Sequence, residues 1–147
     1  MKLSSKVRYG TRALLDLAVN YKDKPVLLKD IAKRQEISKK YLERIFSSLK
    51  AAGLVKSLRG AKGGFVLNKQ PSEITVYQIF EVLEGPLNLV ECVKSKGVCK
   101  RSTFCVAIEL WRGLNYAIEK ELNSITLEEL VSRERQKRKI SASMYQI

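Results

Sequence analysis

Histidine is absent from this sequence of 147 residues. Because histidine is the commonest general base and the commonest metal ligand near neutral pH, its absence removes the most frequent means of acid–base catalysis and of metal binding. The sequence also lacks a phosphate-binding G-x-x-x-x-G-K-[ST] loop, a G-x-S-x-G nucleophile elbow and an H-E-x-x-H metal-binding pair. These absences argue against an enzyme.

Long hydrophobic runs are also missing. No apolar stretch approaches the roughly 20 residues of a membrane-spanning helix, and residues 1–6 lack the apolar segment of a secretory signal. We therefore expect a cytoplasmic protein without a membrane partner. With 45% hydrophobic residues, the chain can form one compact domain, or a small domain with an extension.

Acidic residues are scarce in the first half of the chain. Residues 1–75 carry 17 lysines and arginines against 6 acids, whereas residues 76–147 carry 11 against 9, within a formal net charge of +13. A concentration of positive charge in one half favours attraction to nucleic acid through that half.

The first half has the pattern of a winged helix-turn-helix. An opening helix over residues 5–21 places Lys6, Arg8 and Arg12 away from its apolar stripe, which contains Ala13, Leu14, Leu17, Ala18 and Tyr21. A short helix over residues 28–35 has Leu28, Ile31 and Ala32 inward, and a turn at Glu36 and Ile37 follows it. Ser38 is the predicted N-cap of the helix that follows this turn, and Gly53 ends that helix. We call it the reading helix.

The reading helix is amphipathic, and a hairpin follows it. Leu42, Ile45, Leu49 and Ala52 share its apolar side. Residues 54–59 and 65–67 are predicted strands around a turn at residues 60–64, which forms the wing. Residues 1–72 are thus predicted to be the DNA-binding region.

The predicted DNA-binding residues lie on the outer face of the reading helix and at the wing tip. Glu43 is the informative member, because an acid facing phosphates lowers affinity unless it accepts from a cytosine amine or excludes wrong bases. The alternatives are that Glu43 pairs with Lys39 or Lys40, and that the whole face is an ordinary solvated surface. The complete set is Ser38, Lys39, Lys40, Tyr41, Glu43, Arg44, Ser47, Arg59 and Lys62.

Two further helices are predicted in the second half. Thr75 opens a helix with Gln78 placed for a capping box, its inner face is Val76, Ile79, Phe80 and Leu83, and Gly85-Pro86 ends it. Residues 73–90 are thus a connecting helix and turn. A long helix over about residues 104–123 has apolar residues at heptad spacing, interrupted at Glu121: Ala107, Trp111, Leu114, Ile118 and Ile125.

This heptad pattern predicts either a dimerisation seam or an internal core helix. We favour the seam, since proteins that read half-sites act as symmetric pairs. Residues 106–147 are therefore assigned to a dimerisation helix and C-terminal tail. In that tail, Thr126 and Glu129 cap a short helix that is expected to dissolve into the basic run at residues 133–139.

The three cysteines all lie in one segment, residues 91–105. Cys92, Cys99 and Cys105 are too few for a structural zinc site, which takes four ligands, and a disulfide would leave one thiol over. Iron–sulfur clusters accept thiolate ligands, and the nearby cations Lys94, Lys96, Lys100 and Arg101 would offset a cluster's negative charge. An iron–sulfur site, a redox thiol switch, and a zinc or ligand-free loop are the alternatives.

Five segments of the sequence carry a family resemblance: residues 1–6 with Arg8-Tyr9-Gly10, residues 41–46, residues 53–64, residues 82–86, and Leu110-Trp111. Through these segments the chain resembles the IscR/NsrR/CymR group of bacterial winged-helix regulators over nearly its whole length. The resemblance implies a homodimeric transcription factor that binds a two-fold symmetric operator in double-stranded DNA. It also implies a [2Fe-2S] cluster in IscR-like members, a nitric-oxide-sensitive cluster in NsrR-like members, and no cysteines but control of sulfur metabolism in CymR-like members.

The chain departs from each branch of this group. The histidine ligand of IscR-like proteins is replaced by Ile108, the acidic ligand of NsrR-like proteins is replaced by Arg8, and the ending at residues 144–147 is similar to CymR-like tails. We therefore expect an iron–sulfur cluster, [2Fe-2S] ahead of [4Fe-4S], on the three cysteines with an oxygen ligand from Glu91, Glu109, Ser102, the partner chain or an exogenous molecule. The alternative is a thiol-redox or sulfur-metabolism regulator that acts through a protein partner without a cluster.

Overall fold

The computed structural model describes residues 1–146, and Ile147, the last residue of the predicted tail, lies outside the described residues. The fold is mainly helical with one two-stranded antiparallel hairpin, as predicted. Its elements, besides a 3-10 turn at Pro71–Glu73, are α1 Ser5–Asn20, α2 Leu28–Gln35, α3 Lys39–Ala51, β1 Val55–Leu58, β2 Gly64–Leu67, α4 Val76–Glu84, α5 Glu91–Lys94, α6 Val106–Ser124 and α7 Leu127–Met144. None of the described helices combines the length and apolarity needed to cross a membrane.

The core lies where α1, α2, α3 and α4 meet. Gly10 lets α1 approach its neighbours closely: a Cβ at this position would lie 2.2 Å from Cδ1 of Leu83 in α4 and 3.3 Å from Cγ2 of Ile45 in α3. The apolar faces predicted for the first four helices are buried, except that Ala18 and Val76 are half-buried. Tyr21 and Ala52, each just past a helix end, are exposed. The fully buried side chains include Leu14, Leu17, Ile31, Leu42, Phe46, Leu49 and Ile79.

The predicted helix-turn-helix is confirmed. The turn between α2 and α3 depends on Glu36, whose φ of 55° is in the left-handed region, and on Ile37, which is buried. The Ser38 Oγ accepts a hydrogen bond from the Tyr41 N–H at 3.1 Å, so the predicted N-cap is formed. At the other end, Gly53 has a φ of 77° and terminates the helix as predicted.

Local signals also set the bounds of α4 and α7. Thr75 and Gln78 form the predicted capping box, with bonds of 3.2 and 3.1 Å, and Gly85 ends α4 with a φ of 92°. The starts of α4 and α7 are joined by an isolated bridge between Thr75 and Thr126, in which Val76 N–H donates to the Ile125 carbonyl and Leu127 N–H to that of Ile74.

The C-terminal half differs from the predictions in two respects. The loop after Gly85 contains the short helix α5, and α7 continues to Met144 instead of dissolving in the basic run. Two ion pairs join residues one turn apart in this helix, Glu129 with Arg133 and Glu134 with Arg138. They reduce the repulsion between its positive charges and so stabilise the helix.

Helix α6 presents two different faces. Ile108 is buried, and Trp111 and Ile118 are half-buried on the side that packs on α4. The predicted heptad positions therefore lie on both faces of α6. Ala107 and Leu114 are exposed, whereas Trp111 and Ile118 are half-buried against their own chain. A separate exposed apolar stripe is formed by Val106 at 77%, Leu110 at 56% and Leu114 at 45%, with Gly113 and Ala117 beside them.

Candidate nucleic-acid interface

The outer face of α3 is exposed and largely cationic. Lys39, Lys40, Glu43, Arg44 and Ser47, the predicted reading residues of the helix body, are all solvent-accessible. The helix begins at this surface with a capped N-terminus, whose free N–H groups favour an anion such as a phosphate. The structure thus places the predicted helix residues together on one surface.

Glu43 is paired in the free protein. Its Oε1 lies 3.9 Å from Nζ of Lys39, one turn earlier, and both side chains are exposed. An exposed pair at this spacing contributes about 0.3–0.5 kcal/mol, so contact with another group can break it easily. The pairing with Lys39 and a base-reading role are therefore compatible.

The wing, which is the hairpin of β1 and β2, is fixed to the segment just before α2 and to α3. Together α2, α3 and the wing form the reading head. Phe65 in β2 forms a two-bond bridge with Val26, just before α2, with N–O distances of 2.9 and 2.8 Å. On the other side, Nζ of Lys50 in α3 donates to Oγ of Ser57 in β1 at 2.7 Å. Arg59 and Lys62 are exposed in the connecting turn. The predicted wing cations therefore stand on a hairpin held beside α3.

A cleft of about 510 Å³ separates α3 from the wing. Phe46 and Phe65 form part of its floor and contact each other edge to face, with ring centroids 4.9 Å apart. Lys39 and Lys50 lie at its rim on α3. An apolar floor with cationic edges can accept the sugar–phosphate chain of a duplex.

Helix α1 adds cations to the start of α3. The guanidinium carbons of Arg8 and Arg12 lie 5.8 and 5.5 Å from the ring centroid of Tyr9, within cation–π distance. The Tyr9 ring in turn contacts Tyr41 edge to face, with centroids 6.0 Å apart. Tyr41 is thereby half-buried, and two exposed arginines lie next to the N-terminus of the reading helix.

A buried carboxylate that the sequence analysis missed fixes α2 to α1. Asp16 is 2% exposed and accepts hydrogen bonds from Arg34 at 2.7, 3.1 and 3.1 Å, from Gln35 at 2.8 Å and from Asn20 at 3.2 Å. The hydrogen bond to Asp16 raises the pKa of Arg34 above its usual value. The signal in the sequence is an acid adjoining the apolar stripe of Ala13 and Leu17, since a buried acid needs partners.

The cysteine segment connects α4 to α6, and its short helix α5 packs on α6. Cys92 is in α5, Cys99 follows it, and Cys105 is the N-cap of α6, and all three are half-buried free thiols. Leu89 N–H donates to Oδ1 of Asn115 at 3.2 Å, which ties the start of the segment to α6. Within residues 1–146, no three Cys, Asp or Glu side chains converge well enough to hold a metal ion.

The residues present therefore do not fit a cluster as they are placed. Glu91 accepts from Asn88 at 3.3 Å, Glu109 is exposed, and Ser102 is half-buried. Ile108, which stands at the histidine position of IscR-like proteins, is packed in an apolar contact. Binding a cluster would require residues 91–105 to rearrange.

Comparison with known proteins identifies regulators with the same architecture. The sequence model of a family described as Rrf2, iron-dependent transcriptional regulator, matches residues 3–133. The HTH-type transcriptional regulator CymR of Bacillus subtilis is 43% identical over 132 residues, covering 90% of this chain and 91% of the relative. The regulator IscR of Klebsiella pneumoniae is 42% identical over 132 residues, covering 90% and 80% respectively.

Solved structures give the same result. The structure of CymR, the global cysteine regulator of B. subtilis, has a TM-score of 0.77 with 41% identity and covers 90% of this chain and 98% of that one. The structure of T. potens IscR has a TM-score of 0.75 with 40% identity, and the coverage is 91% and 88%.

Proposed function

Because this chain belongs to the Rrf2 family of transcriptional regulators, we propose that two copies form a dimer that reads a two-fold symmetric operator in duplex DNA under the control of the cysteine segment. Its relatives are named as transcriptional regulators, and the chain is a DNA-binding regulator and not an enzyme. The observation that carries the proposal is the reading head, in which an exposed cationic helix with a capped N-terminus lies beside an anchored cationic wing.

In the proposed complex, α3 enters the major groove with its N-terminus toward the bases. Lys39, Lys40 and Arg44 contact phosphates or guanine edges, while Ser38, Tyr41 and Ser47 contact the backbone. Arg59 and Lys62 on the wing contact the adjacent phosphate chain or minor groove. The accessibility of the helix residues and the fixed position of the hairpin support these roles.

Glu43 is proposed to give sequence discrimination by accepting from a cytosine amine or by excluding other bases. The variant Glu43→Ala should bind a broader set of duplexes in a selection from a random library. Glu81→Ala is the matched control, because it removes an exposed acid from a helix outside the helix-turn-helix and the wing. Discrimination that is unchanged at every base of the selected site would contradict this role.

The exposed apolar stripe of α6 supports the proposed dimer. Val106, Leu110 and Leu114 lie on one side of the helix and contact nothing that covers them in the described part of their own chain. Leu114→Glu should therefore give monomers in analytical ultracentrifugation and abolish tight binding to a two-half-site duplex, since the half-sites lie about 34 Å apart.

Arg112→Glu is the control for that experiment. Arg112 is exposed on the same helix about 160° around from Leu114, so a charge there leaves the stripe intact. A dimer of Leu114→Glu that survives at micromolar concentration would place the interface elsewhere.

Cys92, Cys99 and Cys105 are proposed to act as the control site, either as ligands of an iron–sulfur cluster or as redox thiols. Their position at the start of α6, beside four cations, supports both forms. A cluster, [2Fe-2S] ahead of [4Fe-4S], would also need an oxygen ligand such as Glu91, Glu109 or Ser102, and the rearrangement described above.

Two measurements test the control site. An absorption spectrum of anaerobically purified protein, with iron and sulfide counts, distinguishes a cluster from free thiols. Replacing the three cysteines with alanine should leave a folded dimer with an altered site preference in a duplex library. Identical preferences before and after the replacement would contradict control by this segment.

A second candidate function is a sulfur-metabolism regulator that acts through a protein partner, and the similarity to B. subtilis CymR favours it. Salt titration separates it from direct DNA reading. A reading head that contacts phosphates loses duplex affinity steeply between about 50 and 200 mM salt, whereas a head that serves only a protein partner binds no duplex even at low salt.

A further inference from the structure

The exposed C-terminal end of α7 carries cations that take no part in packing the core. The last buried residue of this helix is Val131, and the family match ends at residue 133. Beyond Glu134 the sequence contains four cations, Arg135, Lys137, Arg138 and Lys139, and no acid up to residue 147. The side chains of residues 135–146 are exposed.

Most of these cations are free to bind an external anion. Arg138 is paired with Glu134 at 3.1 Å. In the part of the chain that the structure describes, Arg135, Lys137 and Lys139 have no carboxylate within 4.0 Å. In a regular helix, Arg135 and Lys139 lie one turn apart on the same side, whereas Lys137 lies about 160° around the axis from both. Arg135 and Lys139 are therefore the free pair that one ligand can contact together.

The position of α7 connects this charge to the reading head. Glu134 and Arg138 share a cleft with Arg12 of α1 and with Gln35, the last residue of α2. Arg12 donates to the Gln35 backbone carbonyl at 2.5 Å and lies on the Tyr9 ring, which contacts Tyr41 in the first turn of α3. Positively charged side chains thus continue from the start of α3 across α1 to the end of α7.

We propose that Arg135 and Lys139 of α7 form a second DNA contact, which binds the phosphates of the duplex that flanks the half-site read by α3. This inference rests on the proposed function. Contacts of this kind carry no sequence information but raise affinity, and each one that is lost lowers the dependence of log affinity on log salt by about 0.9.

The test compares two duplexes that contain the same selected operator. The short duplex ends at the outer edges of the half-sites, and the long duplex extends about 10 base pairs further on each side. The test variant carries Arg135→Gln and Lys139→Gln, which remove the charge of the pair while keeping good helix formers. The control variant carries Arg112→Gln and Lys120→Gln, which remove equal charge from exposed positions in α6, outside the winged helix, the cysteine segment and α7.

The wild type and the control variant should bind the long duplex at least about 10-fold more tightly than the short one at 100 mM salt, and the test variant should lose this difference. On the long duplex, the salt slope of the test variant should be lower by about 2 per protomer, which corresponds to two lost contacts. On the short duplex, the two variants should bind alike.

Three results would overturn the inference. Equal salt slopes of the test variant and the wild type on the long duplex would exclude phosphate contacts by these residues. Equal losses on both duplexes would mean that the charge acts only on the half-sites. A change in oligomeric state of the test variant would assign the segment to contacts with a second copy. By contrast, a wild-type protein that binds neither duplex at low salt would refute the proposed function itself.

Discussion

Replacing Asp16 with asparagine removes one negative charge from the junction of α1 and α2 and changes the side-chain volume little. The carboxylate is fully buried, and five donor–acceptor contacts of 2.7–3.2 Å converge on it. In the variant, one carboxylate oxygen becomes an NH₂ group that faces the donors of Arg34 or Gln35. At least one charge-assisted hydrogen bond is therefore lost, and two donors face each other.

The magnitude follows from the exposure of the partner. Breaking a fully buried ion pair costs about 3–5 kcal/mol, and losing one hydrogen bond to a charged group costs about 1.5–3 kcal/mol. Because the Arg34 side chain is 38% exposed, water can take over part of its interaction. We expect a loss of about 2–3 kcal/mol in the free energy of unfolding, and a fall in Tm of about 5–10 °C.

The assay is urea unfolding at pH 7, followed by circular dichroism, for the wild type, Asp16→Asn and the control Asp23→Asn. Asp23 is exposed in a loop with a φ of 58°, a conformation that asparagine also adopts readily. The Asp16 variant should unfold at a lower urea concentration with an unchanged m-value, and the control should match the wild type. Coincident midpoints of the two variants would refute the assigned role of the Asp16 network.

Three further predictions concern the frame that positions the reading head. Gly10→Ala should lower the free energy of unfolding by about 1–2 kcal/mol in urea titrations, because overpacking against Leu83 outweighs the gain of about 0.8–1.0 kcal/mol in helix propensity; a more stable variant would contradict this. Gly64→Ala should displace the wing, because the new Cβ would lie 2.7 Å from the Val26 carbonyl oxygen, so operator affinity should fall while the helical circular dichroism spectrum persists; undiminished affinity would contradict it. Thr75→Ala should cost about 1 kcal/mol by removing an N-cap, and an unfolding midpoint equal to that of the wild type would count against the cap's contribution.

The reading head and α4 could be predicted from sequence because the residues that start and end their helices act locally. The N-cap at Ser38, the positive φ at Gly53 and the capping box of Thr75 with Gln78 each act within a few residues, and the structure confirms each of them. Periodicity within single helices likewise identified most of the buried side chains.

The errors arose where distant contacts decide the outcome. Helix α6 packs on α4 with one apolar face and exposes a second apolar face. The two sets of apolar residues are interleaved in the sequence, so the heptad pattern cannot tell which residues belong to which face. Helix α7 extends through a basic run because paired glutamates offset part of its repulsion. Two of the three partners of Asp16, Arg34 and Gln35, come from α2 and are 18 and 19 residues away in sequence.

The bridge between Thr75 and Thr126 joins the two ends of a long excursion of the chain, residues 76–125. The chain leaves this point in α4, passes through all three cysteines and returns along α6, so its two ends are hydrogen-bonded neighbours although they are distant in sequence. A length change between Gly85 and Val106 therefore leaves the start and end of the excursion in register with the winged helix. A segment of different length or composition can accordingly replace the residues between α4 and α6 while the winged helix keeps its structure.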